Sequence, residues 1–336
     1  MRRPLFPSRA RSKPRVWSPV AIVLVAFATS ARADDASQWV AHVAQAARQL
    51  NYTGTVVNQI VTPNGGAKFE MFSLVHMNEN GREYEKLVSL DGPAREVVRS
   101  MGEVRLYFPD SKIVRVVPRT FRNAFPSLSP EQQKSLTQYY DFKIVSGERV
   151  NGHAAEIAVF EPKDGFRFGH RFWSDSATGL LLKARMTNER GEVIEQFAFT
   201  DITVNAKVSR AMVEPSWPAV PPDWQVMETA AGDVAPNETG WAVTRVPPGF
   251  SKVTEGFRQL RGHRDPVAHL VFSDGLVAIS VFVEPMAAGA PMPGGMQPTQ
   301  GGLNIYTIRQ DDSLVTVLGE VPGATVRQIG NSVARR

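Results

Sequence analysis

Apolar and polar residues alternate along most of this chain in short runs, and turn residues separate the runs. Leu87 to Pro118 shows the pattern best. Val104, Leu106 and Phe108 alternate with Arg105 and Tyr107, the period of a strand with one buried face. Asp91-Gly92 supplies a hairpin turn before it, with Pro93 implying a longer or bulged loop. Pro109-Asp110 ends the strand, and Ile113 to Val117 starts the next. The same pattern predicts strands at Tyr52–Val61, Lys68–Met77, Tyr84–Leu90, Glu156–Phe160, Arg167–Ser174, Leu180–Thr187 and Val193–Val204. Turn signals sit between them at Asn64-Gly65-Gly66, Asn80-Gly81, Asn151-Gly152, Asp164-Gly165, Thr178-Gly179 and Arg190-Gly191. Short strands at such spacing predict one curved antiparallel sheet or barrel over residues 51 to about 205.

Two helical segments flank or interrupt the sheet. Trp39, Val43, Ala46, Ala47 and Leu50 recur at helical spacing, with Ser37 as N-cap. Ser129-Pro130-Glu131-Gln132 has the form of a capping box opening a helix to about Tyr139, placed to plug the concave face. Residues 208–240 hold Pro215, Pro218, Pro221, Pro222 and Pro236 and read as an interdomain linker. A second unit follows. Val267–Phe272, the Asp274-Gly275 turn and Leu276–Glu284 predict a hairpin whose second strand, almost all apolar, is expected to be buried on both faces. Leu303–Arg309 and Ser313–Gly319 are further strands, and Pro322 opens a helix through Val333. The expected organisation is a large domain at 34–207, a linker at 208–240 and a small domain at 241–333. The fold class is mainly β, α+β in detail.

Charge changes the picture at the N-terminus. Six basic residues fall between Arg2 and Arg15, Val20–Thr29 is an apolar run of ten, and Ala31-Arg32-Ala33 follows. These are the parts of a signal peptide, and the run is short for a membrane span. Cleavage after Ala33 would remove seven basic residues and no acidic ones, taking the net charge from +5 to −2. A mildly acidic mature chain lacks the electrostatic footprint of a nucleic-acid-binding protein. There is no cysteine, which excludes disulfides, thiolate nucleophiles, cysteine metal sites and a lipidated N-terminal cysteine. The expectation is a soluble periplasmic protein.

Catalytic patterns do not stand out. The six histidines form no i, i+4 pair with a glutamate, and there is no G-x-S-x-G elbow, Walker loop or dinucleotide glycine motif. No carboxylate pair is nominated, so the chain is expected not to be an enzyme and to use no cofactor or metal. Two features point to binding. Val104, Leu106, Phe108, Phe142, Phe168 and Phe172 are candidates for one apolar face, either an ordinary core or a hollow for an acyl chain. Arg95, Arg99, Arg105, Arg115, Arg119 and Arg122 cluster in sequence, either as a solvated face or as a site for lipid phosphates or an acidic peptide.

Beyond these readings, the segments LDGPAREVV (90–98), YYDF (139–142), PPGF (247–250), SDGL (273–276) and GEVPGATVRQIGNSV (319–333) resemble the RseB/MucB family of periplasmic regulators of the sigma-E (AlgU) envelope-stress response. The resemblance covers about residues 36–333. It implies a LolA/LolB-like half-open β-barrel with helices on its concave side, plus a small antiparallel β domain with a helix. It also implies binding to the periplasmic part of a membrane-spanning anti-sigma factor (RseA or MucA), protection of that factor from site-1 proteolysis, and release by lipid or lipopolysaccharide. A homo-oligomer is compatible with it. The family offers no catalytic residues to carry over. Its partner contact maps here to a region whose candidates are Trp241, Phe250, Asp274, Leu276, Ile279 and Val281. The Met/Gly/Pro-rich loop at 286–302 departs from the family pattern. A lipid carrier is the rival expectation.

Overall fold

The computed structural model describes residues 30–62, 64–100, 102–118, 136–228, 238–259, 265–286, 294–297 and 299–336. Residues 1–29 of the expected leader (1–33), Arg119, Arg122, the capping box at 129–132 and residues 287–293 and 298 of the 286–302 loop lie outside them.

One sheet of twelve strands dominates. In chain order the strands are β1 (Tyr52–Val61), β2 (Ala67–Glu79), β3 (Arg82–Ser89), β4 (Glu96–Ser100), β5 (Glu103–Phe108), β6 (Ile113–Pro118), β7 (Tyr140–Val150), β8 (His153–Pro162), β9 (Gly169–Asp175), β10 (Leu181–Thr187), β11 (Val193–Val204) and β12 (Gln225–Glu228). Their spatial order is β12-β6-β5-β4-β3-β2-β1-β11-β10-β9-β8-β7. Every pair is antiparallel except β12 beside β6. Within each of the runs β1 to β6 and β7 to β11 neighbours in sequence are neighbours in space; the β1–β11 pairing joins the two meanders, and β12 adds beside β6. Asn80-Gly81 and Asn151-Gly152 both take φ > 0 at each position, which is what a two-residue hairpin turn demands. Register shifts interrupt β1/β11, β10/β11, β9/β10 and β7/β8. Such bulges add twist and bend, and the sheet is a half-open barrel with β12 and β7 at its free edges.

Helix α1 (Ser30–Gln49) lies in the hollow. It begins before Ser37, which is therefore an interior residue and not the expected N-cap. Ala36, Trp39, Val40 and Val43 bury one stripe against Leu136, Tyr140, Phe160 and Phe172. The far end is held across the sheet at β2, where His76 Nδ1 lies 2.8 Å from the Leu50 carbonyl oxygen and the Asn78 side-chain Nδ2 donates to the Arg48 carbonyl at 2.8 Å.

The first part of the proline-rich stretch is packed on the large sheet. Helix α2 (Arg210–Val213) sets Val213 against Met77 and Tyr84. Trp217, Val220 and Trp224 cover Val98, Tyr107 and Val114, and Glu96 accepts hydrogen bonds from the Ser216 amide and hydroxyl. Burial of these indoles outweighs the extended preference of the prolines around them.

The small domain is a six-stranded antiparallel sheet ordered β14 (Ser251–Arg258), β15 (Val267–Ser273), β16 (Ala278–Pro285), β19 (Ser313–Gly319), β18 (Asn304–Gln310) and β17 (Gly295–Gln297). Helix α3 (Gly323–Gly330) buries Val326 and Ile329 against Leu270, Ile279, Val281, Val315 and Val317. Each fully buried aliphatic side chain of this core contributes about 1.5–3 kcal/mol. The expectation for β16 needs correction. It starts at Ala278 and alternates between buried and part-exposed positions, whereas β15 is buried at all seven. The terminal helix is also shorter than expected. The chain leaves it to form β20 (Val333–Arg335), which pairs with β13 (Trp241–Val243) and closes the domain.

Each domain buries a neutral imidazole. His170 stacks on Phe172, and burial lowers its pKa to about 4. His269 stacks on Phe282 at 4.2 Å, and burial, then Arg258, lower its pKa to about 3. A depressed folded pKa gives stability that is complete above the unfolded value of about 6.5 and is lost as pH falls towards the folded value. The melting temperature is therefore expected to drop between pH 7 and pH 4.5. His170→Gln should flatten that drop in thermal melts; an unchanged slope would remove His170 from the account.

Candidate functional site at the concave face and the domain joint

Cross-strand partners share a face, so register places the expected hollow residues. Leu106 is opposite Val97, which is opposite Leu87 and then Leu74. Phe142 is opposite Phe160, and Phe172 opposite Ala158. His76 and Phe172 both meet α1, so Val104, Leu106, Phe108, Phe142 and Phe172 lie on the concave side. The face has two halves. Under α1 it is filled: Phe172 is buried, and Phe160 touches Trp39, Phe142 and Phe172 at ring distances of 5.0–6.2 Å; Phe168, also buried, precedes β9 and is not part of the α1 cluster. Over β3 to β6, away from α1, Leu87, Val97, Val104, Leu106 and Phe108 are only half-buried.

The arginines divide in the same way. Arg95, Arg99 and Arg115 lie on the concave side. Arg95 sits 4.9 Å over Phe72 and 3.6 Å from Glu70, Arg99 pairs with Glu85, and the exposed Arg115 lies 5.3 Å over Phe108. Arg105 belongs to the opposite face, where it pairs with Glu103 at 2.6 Å. Among the described residues, the face over β3 to β6 thus has a half-buried apolar floor and three arginines on the same side. Among the described residues no cluster of His, Asp and Glu is arranged to hold a metal ion.

The second feature is the joint between the domains. Arg167, from the loop before β9, has a side chain 0% exposed, and the Asp274 side chain is 1% exposed. Arg167 Nη1 donates to Asp274 Oδ2 at 2.9 Å, Nε donates to Asp164 at 3.1 Å, and Nη2 donates to the Pro248 carbonyl. Its guanidinium lies within 4.8–5.4 Å of the rings of Tyr139, Phe250 and Tyr140. The Tyr140 hydroxyl donates to the same Asp274 oxygen at 2.9 Å. The other oxygen accepts the Leu276 and Val277 amides of the β15–β16 turn. Burial pushes the Asp274 carboxyl up, and Arg167 with these donors pulls it back. A buried charge is tolerable only when paired and fully hydrogen-bonded, and this one is. Gly249, at φ +83°, lies against the Tyr139 ring so closely that a Cβ would come within 2.5 Å of it. Thr325 Oγ1 donates to the Phe166 carbonyl at 2.9 Å, and the Gly301 amide to the Val61 carbonyl at 2.9 Å, adding two more contacts across the joint.

Of the six small-domain candidates, Asp274, Phe250 and Leu276 meet at this joint. Ile279 and Val281 are wholly inside the small-domain core, and Trp241 is covered there beneath Arg335. In this arrangement these three support the surface instead of forming it. Sequence reasoning missed Arg167, Tyr139, Tyr140 and Gly249 as joint residues. The available signal was that YYDF, PPGF and SDGL, three of the segments carrying the resemblance, converge here.

Family comparisons agree over both domains. The MucB/RseB N-terminal domain model matches residues 35–217, and the MucB/RseB C-terminal domain model matches residues 235–334. The chain belongs to the MucB/RseB family. The sigma factor AlgU regulatory protein MucB of Pseudomonas aeruginosa is 31% identical over 314 residues, covering 90% of this chain and 92% of that protein. The sigma-E factor regulatory protein RseB of Salmonella typhimurium is 27% identical over 326 residues, covering 96% and 98%. Among solved structures, the Pseudomonas aeruginosa MucA/MucB complex superposes with a TM-score of 0.68 at 29% identity, covering 90% of this chain and 99% of that one. MucB crystallised with MucA(peri) gives 0.67 with the same coverage. The joint therefore lies between the two domains that define the family.

Removing one partner of the buried pair should be costly, because the other charge stays behind. Arg167→Met is expected to destabilise the protein by about 3–5 kcal/mol, read by urea denaturation. A loss below about 1 kcal/mol would mean that water already reaches the pair.

Proposed function

We propose that this protein is a periplasmic negative regulator of an envelope-stress sigma factor. It holds the periplasmic part of a membrane-spanning anti-sigma factor and shields it from site-1 proteolysis. The observation that carries this reading is the similarity, over both domains, to a MucB seen in complex with MucA. The fold suits a binding role: a large half-barrel with an open apolar hollow, fixed through a buried joint to a small domain. The regulatory relatives support a non-enzymatic role. Periplasmic location follows from the leader-like sequence at 1–33 together with the partner.

Release by lipid or lipopolysaccharide is the second part of the proposal. The half-buried floor of Leu87, Val97, Val104, Leu106 and Phe108 suits an acyl chain, and Arg95, Arg99 and Arg115 suit its phosphate. A pure carrier function is the weaker reading, because a carrier has no need of a second domain held by a buried ion pair.

Calorimetric titration of residues 34–336 with the periplasmic segment of the cognate anti-sigma factor, with and without lipopolysaccharide fragments, tests both parts. Tight binding that the fragments weaken at least tenfold is expected. Tight binding indifferent to them would remove the lipid signal, and no binding at all would overturn the regulatory reading in favour of the carrier.

A further inference from the structure

The joint between the domains has a second end. Gly301 and Gly302, just ahead of β18, rest on the ends of β1, β10 and β11. The Gly301 amide donates to the Val61 carbonyl at 2.9 Å. A Cβ on Gly301 would come within 2.7 Å of Glu195 Oε2 and 3.1 Å of Ile60, and one on Gly302 would strike Met186. Only backbone fits this slot. Glu195 accepts hydrogen bonds from the Gly302 amide and the Asn58 side chain. Glu320 follows β19 beside Gly302: Asn304 pairs with Gly319, and its Nδ2 donates to the Val321 carbonyl at 2.8 Å and the Gly302 carbonyl at 3.4 Å. Strands β9, β10, β11 and β1 are consecutive neighbours. Arg167, ahead of β9, and Glu195, on β11, therefore lie two strand spacings, about 10 Å, apart along the same end of the sheet.

The two ends differ in charge. At the β9 end Arg167 matches Asp274. At the β11 end the facing side chains are Met186 from β10, Ile60 and Asn58 from β1, and Glu320 from the small domain. Lys68, opposite Ile60 on β2, is paired with Glu70 at 2.8 Å, and His170, opposite Met186 on β9, is neutral. No cation among the described residues pulls the Glu195 or Glu320 carboxyl down. We propose that this end of the joint is an acid-operated latch: Glu195 and Glu320 loosen it when both are ionised and close it when one of them takes up a proton. Burial raises the Glu195 carboxyl above the ordinary glutamate value, against the Gly302 and Asn58 bonds; desolvation, then the Glu195 charge, raises Glu320. With the domains apart here, both carboxyls are hydrated and return to about 4.3. A carboxyl whose pKa is higher in the docked state makes docking take up a proton, so docking strengthens as pH falls from neutral towards about 4.3. The Gly301–Gly302 end opens and closes by hinging about the Arg167–Asp274 pair. The inference needs neither the anti-sigma factor nor a lipid, so it stands apart from the regulatory reading.

The test is amide hydrogen exchange of the leaderless chain at pH 7.5 and pH 5, expressed as protection factors so that the intrinsic exchange rate cancels. Protection of the Gly301 and Gly302 amides is expected to rise about fivefold at pH 5. Asp274 is also raised by burial, so the response is read at 301–302 and compared with 275–277. Glu195→Gln removes the charge and keeps an acceptor for the Gly302 amide and for Asn58. Its protection should be high at both pH values and change less than about twofold. Glu320→Gln touches neither bond and should remove at least half of the rise. If Glu195→Gln instead lowers protection at both pH values, the bond has been lost with the charge and Glu320→Gln decides: an unchanged rise there would overturn the proposal. Equal protection of the wild type at both pH values, or a full rise in Glu195→Gln, would overturn it as well. So would a rise of the same size at 275–277 that Glu195→Gln leaves untouched, which would assign the response to Asp274.

Discussion

The arrangement of the two domains depends on a buried ion pair. Arg167 and Asp274 are 107 residues apart in sequence, and each is removed from water. Two such charges are tolerable in an interior only when they are paired and hydrogen-bonded. Here Asp164, the Pro248 carbonyl, Tyr140 and the backbone of the β15–β16 turn supply further hydrogen bonds, and three aromatic rings lie against the guanidinium. An apolar contact of similar area would tolerate sliding. A fixed set of directional bonds does not, so the pair specifies one domain orientation and makes departure from it abrupt.

That constraint gives the rest of the large domain its meaning. Helix α1 fills the part of the hollow next to the joint, and over β3 to β6 the floor residues are half-buried with three arginines on the same side. The residues after β11 contribute from outside: Trp217 and Trp224 clamp the convex face behind β4 to β6, so the floor of the open half is backed on its other side.

Much of this was legible in the sequence, and the limits have physical causes. Strands and hairpins were readable because period-two alternation and Asn-Gly turns are local properties. Ser37 was misread as a cap because helical periodicity does not say where a helix begins when small residues precede it. The strand buried on both faces proved to be β15, not β16; an apolar run reports hydrophobicity but not which neighbours cover it. β20 and β12 are short edge strands whose pairing is decided by tertiary contacts. Arg105 differs from Arg95, Arg99 and Arg115 only by parity along the sheet, which a cluster counted in sequence ignores. The joint itself could not be read from composition or spacing, because it assembles Tyr140, Arg167, Gly249 and Asp274 from separate stretches of the chain. Only the convergence of the YYDF, PPGF and SDGL segments hinted at it.

The central claim is that the Arg167–Asp274 pair sets the domain orientation. Small-angle scattering of the leaderless chain tests it most directly, with wild type, Arg167→Met, Asp274→Leu and the double variant compared. The account predicts that each single variant, left with an unpaired buried charge, opens and gains in radius of gyration, and that the double variant, apolar on both sides, returns to the compact curve. Four superimposable curves would contradict it and leave the orientation to the surrounding apolar contacts.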